Sequence, residues 1–165
     1  VLAAQVSNCK GVLNSLRHEA ENDFKPESLR VFITKLLDEF HLIRPRVNLE
    51  KKDFVSLPDS VSIMADPALR MAILNVLNNA ADASPERIIF HPQYQKTHLL
   101  IDIIDFGHGI SDELGLSPVS SSKRDGLGLG LFLSHATLNR YGGEISLFQL
   151  DAGGTRVSIT IPLSA

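Results

Sequence analysis

Asp66-Pro-Ala-Leu-Arg-Met-Ala-Ile-Leu-Asn-Val-Leu-Asn-Asn-Ala-Ala-Asp-Ala-Ser84 is the stretch around which the chain is organised. Asp66 suits a helix N-cap and Pro67 the first helical position. Ala, Leu and Met fill the interior, and Ser84-Pro85 ends it. Leu69, Ile73, Leu74 and Leu77 recur at helical spacing and face the core. Asn75 and Asn79 fall four apart on an adjoining face. Two amides on so apolar a helix are either solvated or set against something polar. The helix alone leaves both readings open.

Upstream, Leu2, Val6, Cys9, Leu13, Leu16 and Ala20 alternate at spacings of four and three, a short heptad seam or an ordinary amphipathic helix. Cys9 lies on that seam, either as a small core residue or as a redox thiol facing its twin across a dimer. Asn22 to Glu27 reads as a turn-rich break and domain boundary. Leu29 to Ile43 is a second amphipathic helix, burying Leu29, Phe32, Ile33, Leu36, Leu37 and Phe40 and stopped by Arg44-Pro45. Val47 to Phe54 and Val61 to Met64 read as strands, and Arg87 to His91 pairs with His98 to Ile104 around a Pro-Gln-Tyr-Gln-Lys loop. Residues 110 to 127 lack a period and are rich in Ser, Asp and Gly, the composition of a lid over a ligand. Leu129 to Tyr141 is helical with Gly142-Gly143 as its cap. Glu144 to Leu150 and Thr155 to Pro162 close the chain as a hairpin. The class is α+β, a mixed, mostly antiparallel sheet with helices on one face.

With 165 residues the chain accommodates one well-cored domain plus an appended helix. Its net charge of −3 creates no field for nucleic acid or an anionic membrane. No apolar run approaches the roughly 18 residues of a membrane span, and no signal peptide opens the chain. A start at Val1 without Met suits a fragment, and the single cysteine excludes an internal disulfide or a cysteine-based zinc cluster. The expected compartment is the cytoplasm.

Two glycine-rich segments supply the chemistry. Asp105-Phe-Gly-His-Gly109 follows an apolar strand, and Gly126-Leu-Gly-Leu-Gly130 opens a helix. Glycine allows sharp turns and close backbone approach, and a bare helix start attracts phosphate. An Asp at a strand end can accept a hydrogen bond from an exocyclic amine such as that of adenine. A P-loop is absent, a Rossmann fingerprint fails at Leu131, and Asp105-Phe-Gly107 lacks the other parts of a eukaryotic kinase.

Taken in order, Asn75-x-x-x-Asn79-Ala80, Asp105-x-Gly107-x-Gly109, Gly126-x-Gly128-x-Gly130-Leu131 and Gly154-Thr155 resemble the catalytic ATP-binding domain of bacterial sensor histidine kinases. These belong to the wider ATPase group that includes gyrase B and MutL. The resemblance covers roughly Phe24 to Pro162. It implies a two-layer α/β sandwich of Bergerat type, with three helices on a mixed sheet and an N-terminal helix added. Residues 1–22 would be the end of a dimerisation helix and residues 24–165 the ATP-binding catalytic domain.

The resemblance also implies roles. Asn79 would coordinate Mg²⁺ and Asn75 support the phosphates of ATP. Asp105 would bind the adenine amine, helped by Thr155, with Gly107 and Gly109 shaping the turn. Gly126, Leu127, Gly128, Leu129, Gly130 and Leu131 would line the phosphates as the lid closes. Hydrolysing relatives place a glutamate where this chain has Asn75, and an amide is no base at neutral pH. A kinase that holds Mg·ATP for a histidine therefore fits better than a GHKL-type ATPase or a degenerate nucleotide-sensing module. Many members carry a cation and then an aromatic where this chain has Asp82 and Ala83, which leaves Lys123 as either the phosphate cation or a solvated lid residue. His18-Glu19 lacks the rest of a phosphoacceptor box and reads as surface. The implied partners are a phosphoacceptor-histidine dimerisation domain of the same protein, a response regulator and a second copy in a homodimer. Anchoring of the full-length protein in the bacterial inner membrane is left open. The phrase Ser120 to Gly130, with Asn79-Ala-Ala-Asp-Ala83 and Cys9, is most similar to the RegB/PrrB/RoxS redox-responsive kinases.

Overall fold

The computed structural model describes residues 25–109 and 129–163. Its elements are β1 (Pro26–Ser28), α1 (Leu29–Ile43), β2 (Leu49–Lys51), a 3-10 turn (Phe54–Ser56), β3 (Ser62–Met64), α2 (Pro67–Ala83), β4 (Ile88–Gln95) and β5 (His98–Asp105), followed by α3 (Leu129–Arg140), β6 (Glu144–Gln149) and β7 (Thr155–Pro162). Helix α2 forms as its sequence dictates. Asp66 Oδ1 accepts the Ala68 N–H at 2.7 Å, Pro67 needs no partner for a missing N–H, and the Ser84 N–H closes the last turn on Ala80 O at 2.9 Å. Helix α1 is capped by Ser28, whose Oγ accepts the Val31 N–H at 3.3 Å. The six apolar residues expected on its inner face are all buried.

A five-stranded sheet runs in the order β2-β4-β5-β7-β6, with β2 and β4 parallel and the other pairs antiparallel. Alternation along β5 and β7 sends Leu99, Ile101 and Ile103 inward opposite Ile161, Ile159 and Val157. Those side chains meet Leu69, Ile73, Leu74 and Leu77 of α2 and the buried face of α1 in one core. Each fully buried aliphatic there contributes roughly 1.5–3 kcal/mol. Burial on α2 extends to Ala72, Val76, Ala80 and Ala81, because helices flank it on both sides. On one flank, α3 is tied down by Ser134, whose buried Oγ lies 2.9 Å from both Ala72 O and Gly130 O. Tyr141 reaches back to hydrogen-bond the cap residue Asp66.

Several boundaries differ from the sequence reading, some of them by a single residue. The β4–β5 hairpin has no five-residue loop: both strands run on to a turn at Lys96-Thr97, with Lys96 in the left-handed region at φ 51°. Pro92 therefore lies inside β4. The Ile88 N–H donates toward β2, to Asn48 O at 2.9 Å, so the ring nitrogen of Pro92, an even number of residues on, faces the same side. There β2 has already ended, its last residue Lys51 pairing with Phe90, and no ladder bond is lost. The strand expected over Val47 to Phe54 shrinks to Leu49–Lys51, because Asp53 turns at φ 49° and Phe54 enters a 3-10 turn. Residues Pro26 and Glu27, read as part of a break, pair with Met64 and Ile63 in a separate two-stranded sheet. The closing hairpin ends β6 at Gln149, one residue short of Leu150. Helix α3 ends at Arg140, one residue short of Tyr141, and its glycine cap forms as expected: the Gly143 N–H donates to Leu138 O and the Gly142 N–H to Asn139 O, with Gly142 at φ 70°. No helix among the described residues is long and apolar enough to cross a membrane.

Candidate nucleotide site

Helix α2 carries a polar stripe where its apolar faces leave off. Asn75, Asn78, Asn79 and Asp82 stand at i, i+3, i+4 and i+7, so all four share one side of the helix. Asn75 and Asn78 are half-buried, while Asn79 and Asp82 are exposed. Three of these residues were expected at the site. Asn78 was not singled out, although its spacing was visible in the sequence. Arg44, at the C-cap of α1, donates from Nε to Asn78 Oδ1 at 3.0 Å and pairs through Nη2 with Asp82 Oδ1 at 2.9 Å. In the sequence Arg44-Pro45 read only as a helix stop.

At the end of β5, Asp105 is one of the few polar side chains buried among the described residues. Its Oδ1 accepts the Gly107 N–H at 3.0 Å, and the backbone N–H of Thr155 also faces the carboxylate. Burial pushes its pKa above the ordinary value of 3.8, and these two N–H donors pull it partly back. A carboxylate has room for about four hydrogen bonds, so such a group retains capacity for another donor.

The turn after Asp105 is wedged so tightly that its glycines have no substitutes. A Cβ on Gly107 would stand 2.7 Å from the Ala83 carbonyl oxygen at the end of α2. Gly154, at φ 95°, lies against the other side, where a Cβ would come within 2.2 Å of Asp105 O. Gly109, at φ 80°, packs on the Gln149 side chain. These contacts bring together the C-terminal end of α2, the Asp105 turn and the buried Thr155 at the start of β7. Phe106 is exposed and stacks beneath the Arg87 guanidinium, 4.6 Å from the ring centre.

Gly130 and half-buried Leu131 lie in the first turn of α3, which Ser134 docks to α2 through Ala72 O. A Cβ on Gly130 would meet nothing within 4 Å among the described residues. Leu129 begins α3. Cys9, Lys123, Gly126, Leu127 and Gly128 lie outside the described residues.

A family model described as histidine kinase-, DNA gyrase B- and HSP90-like ATPase matches residues 64–165. The chain belongs to this ATPase family. The matched segment takes in the last residue of β3, then α2, the Asp105 turn and everything after it, while α1 and Arg44 precede it. Among curated relatives, sporulation kinase D of Bacillus subtilis is 33% identical over 102 residues, covering 59% of this chain and 20% of that protein. The signal transduction histidine-protein kinase AtoS of Escherichia coli is 30% identical over 145 residues, covering 82% of this chain and 24% of its own length. The chain thus spans about a fifth to a quarter of such relatives. Among solved structures, the mycobacterial sensor histidine kinase MprB superposes with a TM-score of 0.67 at 25% identity, covering 85% of this chain and 97% of that one. The chain is thus a domain of this ATPase family that is similar to a part of several sensor kinases. The three helices and the mixed five-stranded sheet of the described residues are the corresponding α+β fold.

Proposed function

We propose that this domain binds Mg·ATP between α2, the Asp105 turn and the start of α3, and donates the γ-phosphoryl to a histidine on another domain. The observation that carries this reading is Asp105: a buried carboxylate held on two backbone N–H groups, wedged beside the end of the asparagine stripe. Its remaining acceptor capacity suits the exocyclic amine of adenine, with Thr155 adjacent. Asn75 and Asn79 line the path a triphosphate takes along α2. Asn79 is exposed, and an amide oxygen is a hard donor of the type Mg²⁺ prefers. Magnesium held there would neutralise phosphate charge. Gly130, which no neighbour among the described residues requires to be a glycine, allows a phosphate close to the backbone of the α3 start. Lys123, Gly126, Leu127, Gly128, Leu129 and Leu131 complete this assignment on the family resemblance.

Asn75 stands where a hydrolysing relative has its general base, and its amide cannot take a proton from water. The transfer itself needs no base at that place. An imidazole nitrogen attacks the γ-phosphorus, the bond to the β–γ bridging oxygen breaks, and ADP leaves. What the chain supplies is positioning and charge neutralisation. Residues 1–22 would then end a dimerisation helix, residues 24–165 form the catalytic domain, and the phosphoryl group would pass on to a response regulator from a cytoplasmic homodimer.

Titration of the chain with Mg·ATP in a calorimeter, with phosphate followed in the same sample, tests the reading. Saturable heat without phosphate release is the expected outcome. Sustained release would favour an ATPase, and an absence of heat would mark a degenerate site. The finer assignment to the redox-responsive RegB/PrrB/RoxS kinases rests on the Ser120–Gly130 phrase and on Cys9. Mild oxidation is expected to give a dimer on a non-reducing gel that Cys9→Ser abolishes. A chain that stays monomeric would remove that assignment and leave the kinase reading intact.

A further inference from the structure

The pair formed by Arg44 and Asp82 stands beside the polar stripe of α2, and the nucleotide reading as it stands does not use it. The Arg44 guanidinium spans two acceptors one helical turn apart, Asn78 Oδ1 at 3.0 Å and Asp82 Oδ1 at 2.9 Å. A planar fork with several fixed donors makes such a span, which an ammonium cannot reproduce. The base of the side chain is held as well, because the Arg44 N–H closes α1 on Phe40 O at 2.8 Å. Asp82 shares its helix face with Asn75 and Asn79, seven and three residues earlier. Any polyanion laid along that face meets the charge of Asp82. Arg44 lies ahead of the segment matched by the family model, which begins at residue 64.

We infer that Arg44 is a positioning residue for the polyphosphate: it balances Asp82 and fixes the Asn78–Asp82 turn so that an anion can approach Asn75 and Asn79. The inference rests on the nucleotide reading above. Without Arg44 the carboxylate is less balanced and repels a ligand carrying several negative charges, an effect of about tenfold in affinity at a partly solvated site. Uncharged adenosine does not feel it. That difference separates a charge effect from a loss of helix packing.

The test compares the wild type with Arg44→Ala, Asp82→Ala and the double variant, titrated with Mg·ATP and with adenosine. Arg44→Ala is expected to weaken Mg·ATP about tenfold and leave adenosine alone, and the deficit should shrink as salt is raised. Asp82→Ala should tighten Mg·ATP, and the double variant should return close to the wild type. Arg44→Gln, which keeps a donor for Asn78 but no charge, stands in if Arg44→Ala does not fold and should show the same deficit. Equal losses for Mg·ATP and adenosine would reduce Arg44 to a helix clamp and overturn the inference. So would a double variant as weak as the single one. If the wild type binds ATP in an Asp105-dependent way and Arg44 makes no difference, this inference alone falls. If the wild type binds no adenine nucleotide, the nucleotide reading falls with it.

Discussion

Asp105→Asn is expected to abolish the preference for ATP over GTP. The carboxylate accepts the Gly107 and Thr155 N–H groups and has capacity left for an amine on the ligand. Asparagine offers one oxygen in place of two and no charge. The lost charge-assisted hydrogen bond costs about 2 kcal/mol, or roughly thirtyfold in ATP affinity. GTP presents a carbonyl where ATP has its amine, so its binding should hold or improve. Parallel titrations with the two nucleotides give the answer, and an undiminished ATP preference would remove Asp105 from the adenine contact.

The same carboxylate sets an acid limit. Because burial raises its pKa, the folded chain holds the Asp105 proton more tightly than the unfolded chain does. Its contribution to stability is therefore full below the ordinary value of 3.8 and is lost as pH rises through the raised folded value. Adenine binding runs the other way: the ionised form accepts the amine, so ATP affinity falls as pH drops through that raised value. Asp105→Asn should flatten both slopes.

Much of this site was legible because its parts are local. The α2 caps and the Asn75–Asn79 spacing are written within one helix, and Asp105 to Gly109 is a turn whose glycines have no substitutes. The α1 face was equally plain, since the period of its six buried apolar residues survives folding unchanged. What could not be read depended on distant partners. The residues Pro92 to Gln95 have a turn's composition, yet pairing with His98 to Ile101 makes them strand. Pro26–Ser28 carries no strand signal of its own and is defined by Ser62–Met64 across the sequence. Arg44 joins the site only because α1 packs beside α2, and no motif within α1 announces that.

Gly154→Ala is expected to be the most damaging single methyl in the domain. A Cβ there would lie 2.2 Å from Asp105 O and 2.9 Å from the Phe106 Cα, both backbone atoms with nowhere to go. Overpacking of that kind costs about 1–3 kcal/mol, and an L-residue at φ 95° adds about 1–2 kcal/mol. The sum is a large share of the roughly 5–15 kcal/mol that holds a domain of this size together. A urea denaturation curve should show a markedly lower midpoint, with nucleotide binding lost under conditions where the variant remains folded, because the Asp105 turn must shift. An unchanged midpoint would mean that the β6–β7 turn can move away from β5 at little cost. Gly130→Ala, by contrast, meets no neighbour among the described residues, so its effect should appear in phosphate binding rather than in stability.

The placement of Pro92 bears on how the domain behaves in a crowded cell. Strand β2 pairs with only the first residues of β4, and past Phe90 that edge is covered by packing with the 3-10 turn and not by a ladder, so it is bare to an extended peptide whenever that cover lifts. An incoming strand would look for outward N–H groups at every second residue, and at Pro92 there is none. The proline blocks recruitment of another chain into a continuous sheet while leaving the β5 side of the same strand fully paired. Replacing it with valine would complete the template, and the first symptom would be slow, concentration-dependent aggregation rather than any loss of catalysis.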